Sequence, residues 1–203
     1  MTVTLIEPLN KYKSKVFLDE DFAFVLYKGE LRKYQIKEQA EISEELYREI
    51  VETVLSKRAK ERVLFLLKSS DKTEFELRKK LIDGGYPQSA VDIAIAFVLK
   101  HRLIDDHSYA QRYIERFKKK KSKKQISYDL EKKGIHSEIT ELLFDENQIE
   151  EEEQIYHHLV KKKYDPETLD PVQRNKMVMS LGRKGFSYEK IKKVMDNFVE
   201  MEF

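Results

Sequence analysis

The side chains whose types and spacing point most directly to chemistry are lysines. Between Arg112 and Lys133, ten Lys or Arg stand against three acids, and the run Lys118-Lys-Lys-Lys-Ser-Lys-Lys124 leads into a helix-start signal at Ser122. Cations placed before a helix N-terminus, beside backbone N–H groups that lack an intrahelical acceptor, make a docking place for phosphate. Comparable tracts occur at Arg78-Lys79-Lys80 and Lys161-Lys162-Lys163. Tyr109, Tyr113, Phe117 and Tyr128 are interleaved with the central run. The first three are four residues apart, which assigns most of them to a helix core rather than to base stacking. A lysine run also serves as a plain solvated face, and residue types alone leave both readings open.

Other chemistries find little support. The segment Asp145–Glu153 holds six acids and no base, which suits a linker, a first helical turn or a patch for a basic partner. Its sign makes it a poor contact for nucleic acid. Asp105-Asp106 is the one acidic pair with metal character, and helix-start capping is the better account of it. The histidines at 101, 107, 136, 157 and 158 lack ligand-like spacing with carboxylates, and no phosphate-loop, Gly-x-Gly-x-x-Gly or His-Glu-x-x-His motif occurs. With no cysteine in the chain, disulfides and thiolate ligands are excluded. No cofactor and no metal are expected.

Composition sets the frame. In 203 residues, 37% are charged but the net charge is only +2, so any basic surface is local and offset elsewhere. No apolar run approaches the ~20 residues of a membrane span. The N-terminus shows no signal-peptide core, so a cytoplasmic protein with no membrane partner is expected.

The elements that must position the lysines are helices. From Ala59 an apolar stripe (Ala59, Val63, Leu66, Leu67) marks a first helix. Thr73-x-x-Glu76 is a capping box opening a second, which carries Leu77 and Leu81 and stops at Gly84-Gly85. Tyr86 follows as an apolar plug, Pro87 as a first-turn proline, and Val91, Ile95 and Val98 stripe a third helix. Sliding the frame by 49 puts Ile126, Leu130, Gly134 and Ile135 on Leu77, Leu81, Gly85 and Tyr86, after a second box, Ser122-x-x-Gln125. Ser137 is expected to cap the next helix, with Ile139, Leu142 and Leu143 inside, one residue out of register. Sliding by 100 gives Met177, Leu181, Gly185 and Phe186, then Ile191, Met195 and Phe198, with Asp170-Pro171-x-Gln173 as the start. An insertion, Tyr164–Pro171, separates the first two helices of that copy.

Three copies of a three-helix unit predict a mainly α protein with an elongated, curved, modular body, few contacts crossing each junction. Residues 1–42 differ. Val3–Ile6, Lys15–Leu18 and Phe22–Tyr27 read as two or three antiparallel strands, with Phe22, Phe24 and Leu26 packed on a helix. Ser43 caps a helix from Glu44 to about Leu55. The expected domains are 1–42, a β extension; 43–104, the first helical repeat with its leading helix; 105–147, the second; and 148–203, the third.

The string Leu103-Ile-Asp-Asp-His-Ser-Tyr-Ala110, following Glu76-Leu-Arg-Lys-Lys-Leu81 and the Gly85-Tyr86 turn, resembles the RecX family of recombination regulators. The second-copy sequence from Lys120 to Ile135 is similar to that family too, and the strand-rich extension resembles its Gram-positive members. The resemblance implies a helical repeat protein without catalysis. It would bind in the groove of RecA filaments on DNA and restrain RecA's ATPase, strand-exchange and coprotease activities in recombination and SOS repair. The residues assigned to the filament or DNA face are Arg78, Lys79, Lys80, Arg112, Arg116, Lys118, Lys119, Lys120, Lys121, Lys123, Lys124, Lys132 and Lys133. The partners implied are RecA, the RecA–DNA filament and DNA, met by a monomer.

A sequence-tolerant DNA-binding repeat protein acting without RecA is the alternative. Its three-helix units would act as helix-turn-helix modules, but the apolar third helices disfavour groove reading. An enzyme using Asp105 and Asp106 with a metal ranks last.

Overall fold

A computed structural model describes residues 1–199, and the last four positions of the expected third copy lie outside the described residues. Three antiparallel strands open the chain: β1 (Val3–Pro8), β2 (Lys13–Leu18) and β3 (Asp21–Tyr27), in the order β1-β2-β3. Asn10 shapes the first turn, its side-chain oxygen accepting from the Tyr12 and Lys13 N–H groups. Asp19 and Glu20 both take positive φ (48° and 75°), the two-residue geometry whose twist matches that of paired strands. Val3, Val16, Phe24 and Leu26 are buried against Ile50, Val51 and Leu55.

Phe22 departs from the expectation. Val16 pairs with Phe24 but Phe17 pairs with Phe22, so Ala23 is an extra residue. This bulge reverses the alternation and leaves Phe22 44% exposed, edge-on to Phe17 at 5.8 Å on the face away from the core.

After α1 (Lys28–Lys33), Ser43 caps α2 (Glu44–Glu49) by accepting from the Leu46 N–H, as expected. The helix does not stop near Leu55, which corrects the expected end. It widens into a π-helical turn, Ile50–Leu55, and runs on as α3 (Ser56–Ser69). No Gly or Pro breaks residues 44–69. The Thr53 and Ser56 hydroxyls donate to the Glu49 and Glu52 carbonyls along the widened turn. The turn lets one rod feed the sheet core with Ile50 and Leu55 and the next core with Ala59 and Val63.

Three three-helix groups follow. The first packs α3, α4 (Glu74–Ile82) and α5 (Gln88–Lys100) around Val63, Leu77, Leu81 and Ile95. The second packs α6 (Asp106–Phe117), α7 (Lys123–Glu131) and α8 (Ser137–Glu146) around Ile114, Ile126, Leu130 and Leu143. The third packs α9 (Glu151–Lys161), α10 (Pro171–Arg183) and α11 (Tyr188–Asp196) around Ile155, Leu159, Leu181 and Val194. Packing divides the chain into two compact units, residues 1–105 and residues from 106 onward.

The repeated stop is the same structure each time. Gly85, Gly134 and Gly185 hold φ of 80°, 78° and 87°. The next N–H reaches back five residues in every copy, Tyr86 to Leu81, Ile135 to Leu130 and Phe186 to Leu181, at 3.2, 3.0 and 3.3 Å. That is the Schellman cap, and it needs the left-handed conformation that glycine adopts without a Cβ penalty. Thr73 and Glu76 form the complete capping box.

Two local expectations shift by one residue: Pro87 is the N-cap of α5 rather than its first turn, and His136 caps α8 in place of Ser137. The second copy is not out of register either. Thr140, Leu143 and Phe144 are buried at the positions of Val91, Ala94 and Ile95, whereas Leu142 is 55% exposed.

Candidate functional site

The lysine run lies in the turn between α6 and α7 and continues into the first turn of α7. Behind it, Tyr109, Tyr113 and Phe117 form a half-buried row along α6, with ring centroids 6.5 and 4.5 Å apart. Lys121 is built into this row. Its ammonium stands 4.1 Å from the Phe117 ring centroid and donates to the Tyr113 hydroxyl at 2.9 Å and to Asp129 at 2.7 Å. The hydrogen bond to Asp129, then that to Tyr113, holds the Lys121 ammonium above its ordinary pKa. Burial pushes the Asp129 carboxyl up, but the hydrogen bonds from Lys121 and Tyr113 outweigh it and the net displacement is downward. Burial, the largest influence on Tyr113, raises its hydroxyl.

The other singled-out residues divide by environment. Lys118 pairs with Glu115 at 2.9 Å, Lys123 lies over Phe144 at 5.5 Å and Lys133 over Tyr109 at 5.5 Å. Arg116 is exposed beside Phe117, and Lys132 covers the exposed Tyr128 ring at 4.2 Å. Arg112, Lys119, Lys120 and Lys124 are exposed. In the first unit, Lys79 and Lys80 are exposed on α4, while Arg78 is held by Glu74 and Asp92 at 2.6 and 2.5 Å. The second-copy residues therefore share one turn and its flanking helices, and the Arg78–Lys80 tract belongs to a different unit.

The N-terminus of α7 is already occupied by an anion. The Ser122 hydroxyl accepts from the Gln125 N–H, and a Glu151 carboxylate oxygen accepts from the Lys123 N–H at 2.8 Å. Lys190 of α11 donates to the other oxygen of Glu151, a side chain only 7% exposed. The phosphate-docking place expected before α7 is thus filled by the third copy. Gln154 of α9 donates to the Lys118 carbonyl at 2.7 Å, which ties the turn down further. Cations free to meet an external polyanion are the flanking ones: Lys119, Lys120 and Lys124 are exposed and have no ion pair among the described residues.

With this geometry in view, likeness to known proteins decides the family. Residues 59–97 match the family model of the RecX first three-helix domain, and residues 150–195 that of the RecX third three-helix domain. A regulatory protein RecX from Clostridium beijerinckii is 32% identical over 203 residues, covering 96% of this chain and 95% of its own. The chain belongs to the RecX family. A second regulatory protein RecX, from Clostridium botulinum (strain Eklund 17B / Type B), is 27% identical over 97% of this chain and 95% of its own. A crystal structure of regulatory protein RecX shares the fold, with TM-score 0.64 at 23% identity over 97% of this chain and 98% of that one. RecX from Lactobacillus salivarius does so at TM-score 0.62 and 23% identity, over 72% of this chain and 98% of that one.

The rest of this RecX chain's polar chemistry supports the scaffold. Part of the acidic run is engaged within the second unit: Glu151 pairs with Lys190 and Glu152 with Lys193 at 2.8 Å, while Glu153 lies 3.5 Å from the exposed His157 ring. Asp106 opens α6, and among the described residues no group of three or more His, Cys, Asp or Glu is placed to hold a metal ion. No helix among the described residues is long and apolar enough to cross a membrane. Sequence reasoning missed the residues that seat the basic turn: Glu151, Gln154, Lys190 and Lys184, whose carbonyl accepts from the Ser122 hydroxyl. Their partners lie tens of residues away, where no spacing rule reaches.

Proposed function

We propose that this chain regulates RecA: it binds RecA and RecA–DNA filaments and restrains the ATPase, strand-exchange and coprotease activities in recombination and SOS DNA repair. Membership of the RecX family, whose relatives are named regulatory proteins, supports this reading. The protein acts as a cytoplasmic monomer, without cofactor or catalysis, and shifts RecA between states by binding one of them better. Its basic residues meet the DNA phosphates or acidic surface of the filament, led by Lys119, Lys120 and Lys124. Counterion release from the DNA makes that contact salt-dependent.

A sequence-tolerant DNA-binding repeat acting without RecA is the second reading, favoured by the same three exposed lysines. Val91, Ile95 and Val98 of α5 are all fully buried, so that stripe of the third helix has no access to base edges.

The deciding experiment titrates the protein into RecA preassembled on single-stranded DNA while ATP turnover is followed, beside its binding to bare DNA. Inhibition below one protein per RecA is the expected result and points to filament growth as the target. Tight binding to bare DNA with RecA turnover untouched overturns the RecA reading and leaves the second.

A further inference from the structure

The third copy carries a groove that the basic turn does not account for. It lies between α9 and α10, with a volume of about 430 Å³. Leu169 and Met177, both partly buried on the third core, supply apolar wall, and Lys162 and Lys176 stand exposed around it. The lining includes no carboxylate. A third cation is close: Lys184 Nζ lies 3.1 Å from Nδ1 of His158, another lining residue. The concentration of positive charge shows on His158 itself. Burial first, then Lys184, Lys162 and Lys161, hold its imidazole below the ordinary value.

The helix forming one wall is under-covered. α10 has 13 residues where its counterparts α4 and α7 have 9. Leu181 is its only buried residue, whereas Leu77 and Leu81, and Ile126 and Leu130, are buried in the other copies. Residues 171–176 are all exposed. Val172 and Met179, four residues before and three after Lys176, are 64% and 66% exposed beside the groove. A long cationic and apolar helix face left uncovered among the described residues is surface of the kind used to bind a partner.

We propose that the α9–α10 groove docks an acidic, amphipathic peptide segment of a partner protein. Its carboxylates would meet Lys162, Lys176 and Lys184, and its apolar side chains would lie on Leu169, Met177 and the adjoining Val172 and Met179. Charge complementarity selects an acidic occupant. The walls select a peptide over nucleic acid: no Phe, Tyr or Trp is among the lining residues, and single-stranded bases bind on such aromatic platforms. Methionine, flexible and polarisable, adapts to apolar side chains of varied shape.

The test uses the full chain and a short fluorescein-labelled peptide of Glu and Leu in helical register, read by anisotropy. Two control peptides replace every Glu by Gln or every Leu by Ser. Saturable binding of the Glu/Leu peptide alone, weakened about tenfold in a Lys162→Gln/Lys176→Gln variant, is expected. A Lys119→Gln/Lys120→Gln variant should bind it as the unaltered chain does. Lys162 and Lys176 are exposed, and a matching thermal transition will show that the double variant is folded. No saturable binding, or equal binding of the Leu-to-Ser peptide, overturns the proposal. So does a variant that loses affinity for oligothymidylate while the peptide never binds, which would make the groove a nucleic-acid surface. Neither RecA nor DNA enters the peptide measurement, so its failure leaves the RecA reading standing.

Discussion

Ser122 and Gly185 are in such close contact that a Cβ on Gly185 would lie 2.6 Å from the Ser122 hydroxyl oxygen. The hydroxyl is engaged on both sides, accepting from the Gln125 N–H and donating to the Lys184 carbonyl at 2.7 Å. The stop of the third copy's second helix therefore rests on the start of the second copy's. Gly85 stands in the same relation to the sheet, where its Cβ would lie 2.5 Å from Val25 Cγ2. The glycine at the stop serves two purposes at these positions, a left-handed turn and close approach to the preceding module.

Gly185→Ala should accordingly be destabilising on two counts. A left-handed alanine costs about 1–2 kcal/mol, and the clash with Ser122 adds about 1–3 kcal/mol at Gly185. Gly182→Ala, inside α10 with nothing within 4 Å of a new Cβ, should stabilise by about 0.5–1 kcal/mol. Urea unfolding of the two variants checks the opposite signs. A Gly185→Ala protein as stable as the parent would mean that the junction gives way without cost.

Glu151→Ala removes the carboxylate from the α7 N-terminus and leaves Lys190 without its acceptor. A loss of about 1–3 kcal/mol is expected, the scale of a hydrogen bond to a charged group at a partly buried site. Because the vacated place suits an anion, millimolar phosphate should raise the thermal midpoint of the variant more than that of the parent. Equal responses to phosphate would show that the N–H groups alone do not hold an anion.

Lys119→Gln/Lys120→Gln/Lys124→Gln should weaken DNA or filament binding and flatten its salt dependence. Three lost phosphate contacts lower the log–log slope by about 2 on single strands. Lys121→Gln, by contrast, should lower stability by about 1 kcal/mol and leave the slope unchanged, because its ammonium is spent on Asp129, Tyr113 and Phe117. Salt titrations of both variants separate the roles, and an unchanged slope in the triple variant removes the tract from the interface.

The Lys121–Asp129 pair sets a pH window. Asp129 is depressed in the folded protein, so its contribution is present above the unfolded value of about 3.9 and disappears as pH falls through the folded value. Lys121 is raised, so its contribution is present below about 10.4 and disappears as pH rises through its folded value. The stability gap between the parent and Asp129→Asn should be flat, at about 0.5–1 kcal/mol, near neutrality and should close in acid. Denaturant midpoints across the acid range measure it. A gap that persists undiminished in strong acid would assign the loss to packing.

The sequence by itself determined the helical units. Caps, glycine stops and apolar stripes act between residues three to five apart, and Thr73–Glu76, Leu81–Gly85 and Asp170–Gln173 formed where their spacing places them. The Tyr164–Pro171 insertion ahead of α10 was legible too, as were two or three strands at the start, of which three formed. Tertiary structure decided the rest. The bulge at Ala23 turned Phe22 to the sheet face that Gly85 approaches, and the two cores that share one rod came with a π-helical turn where a helix end was expected. Above all, the partner of the α7 N-terminus was settled by a carboxylate 28 residues away and its lysine 39 residues beyond that. Periodicity shows which face of a helix is buried. Which charged side chain then meets it depends on how the finished modules stack, and that information is not local.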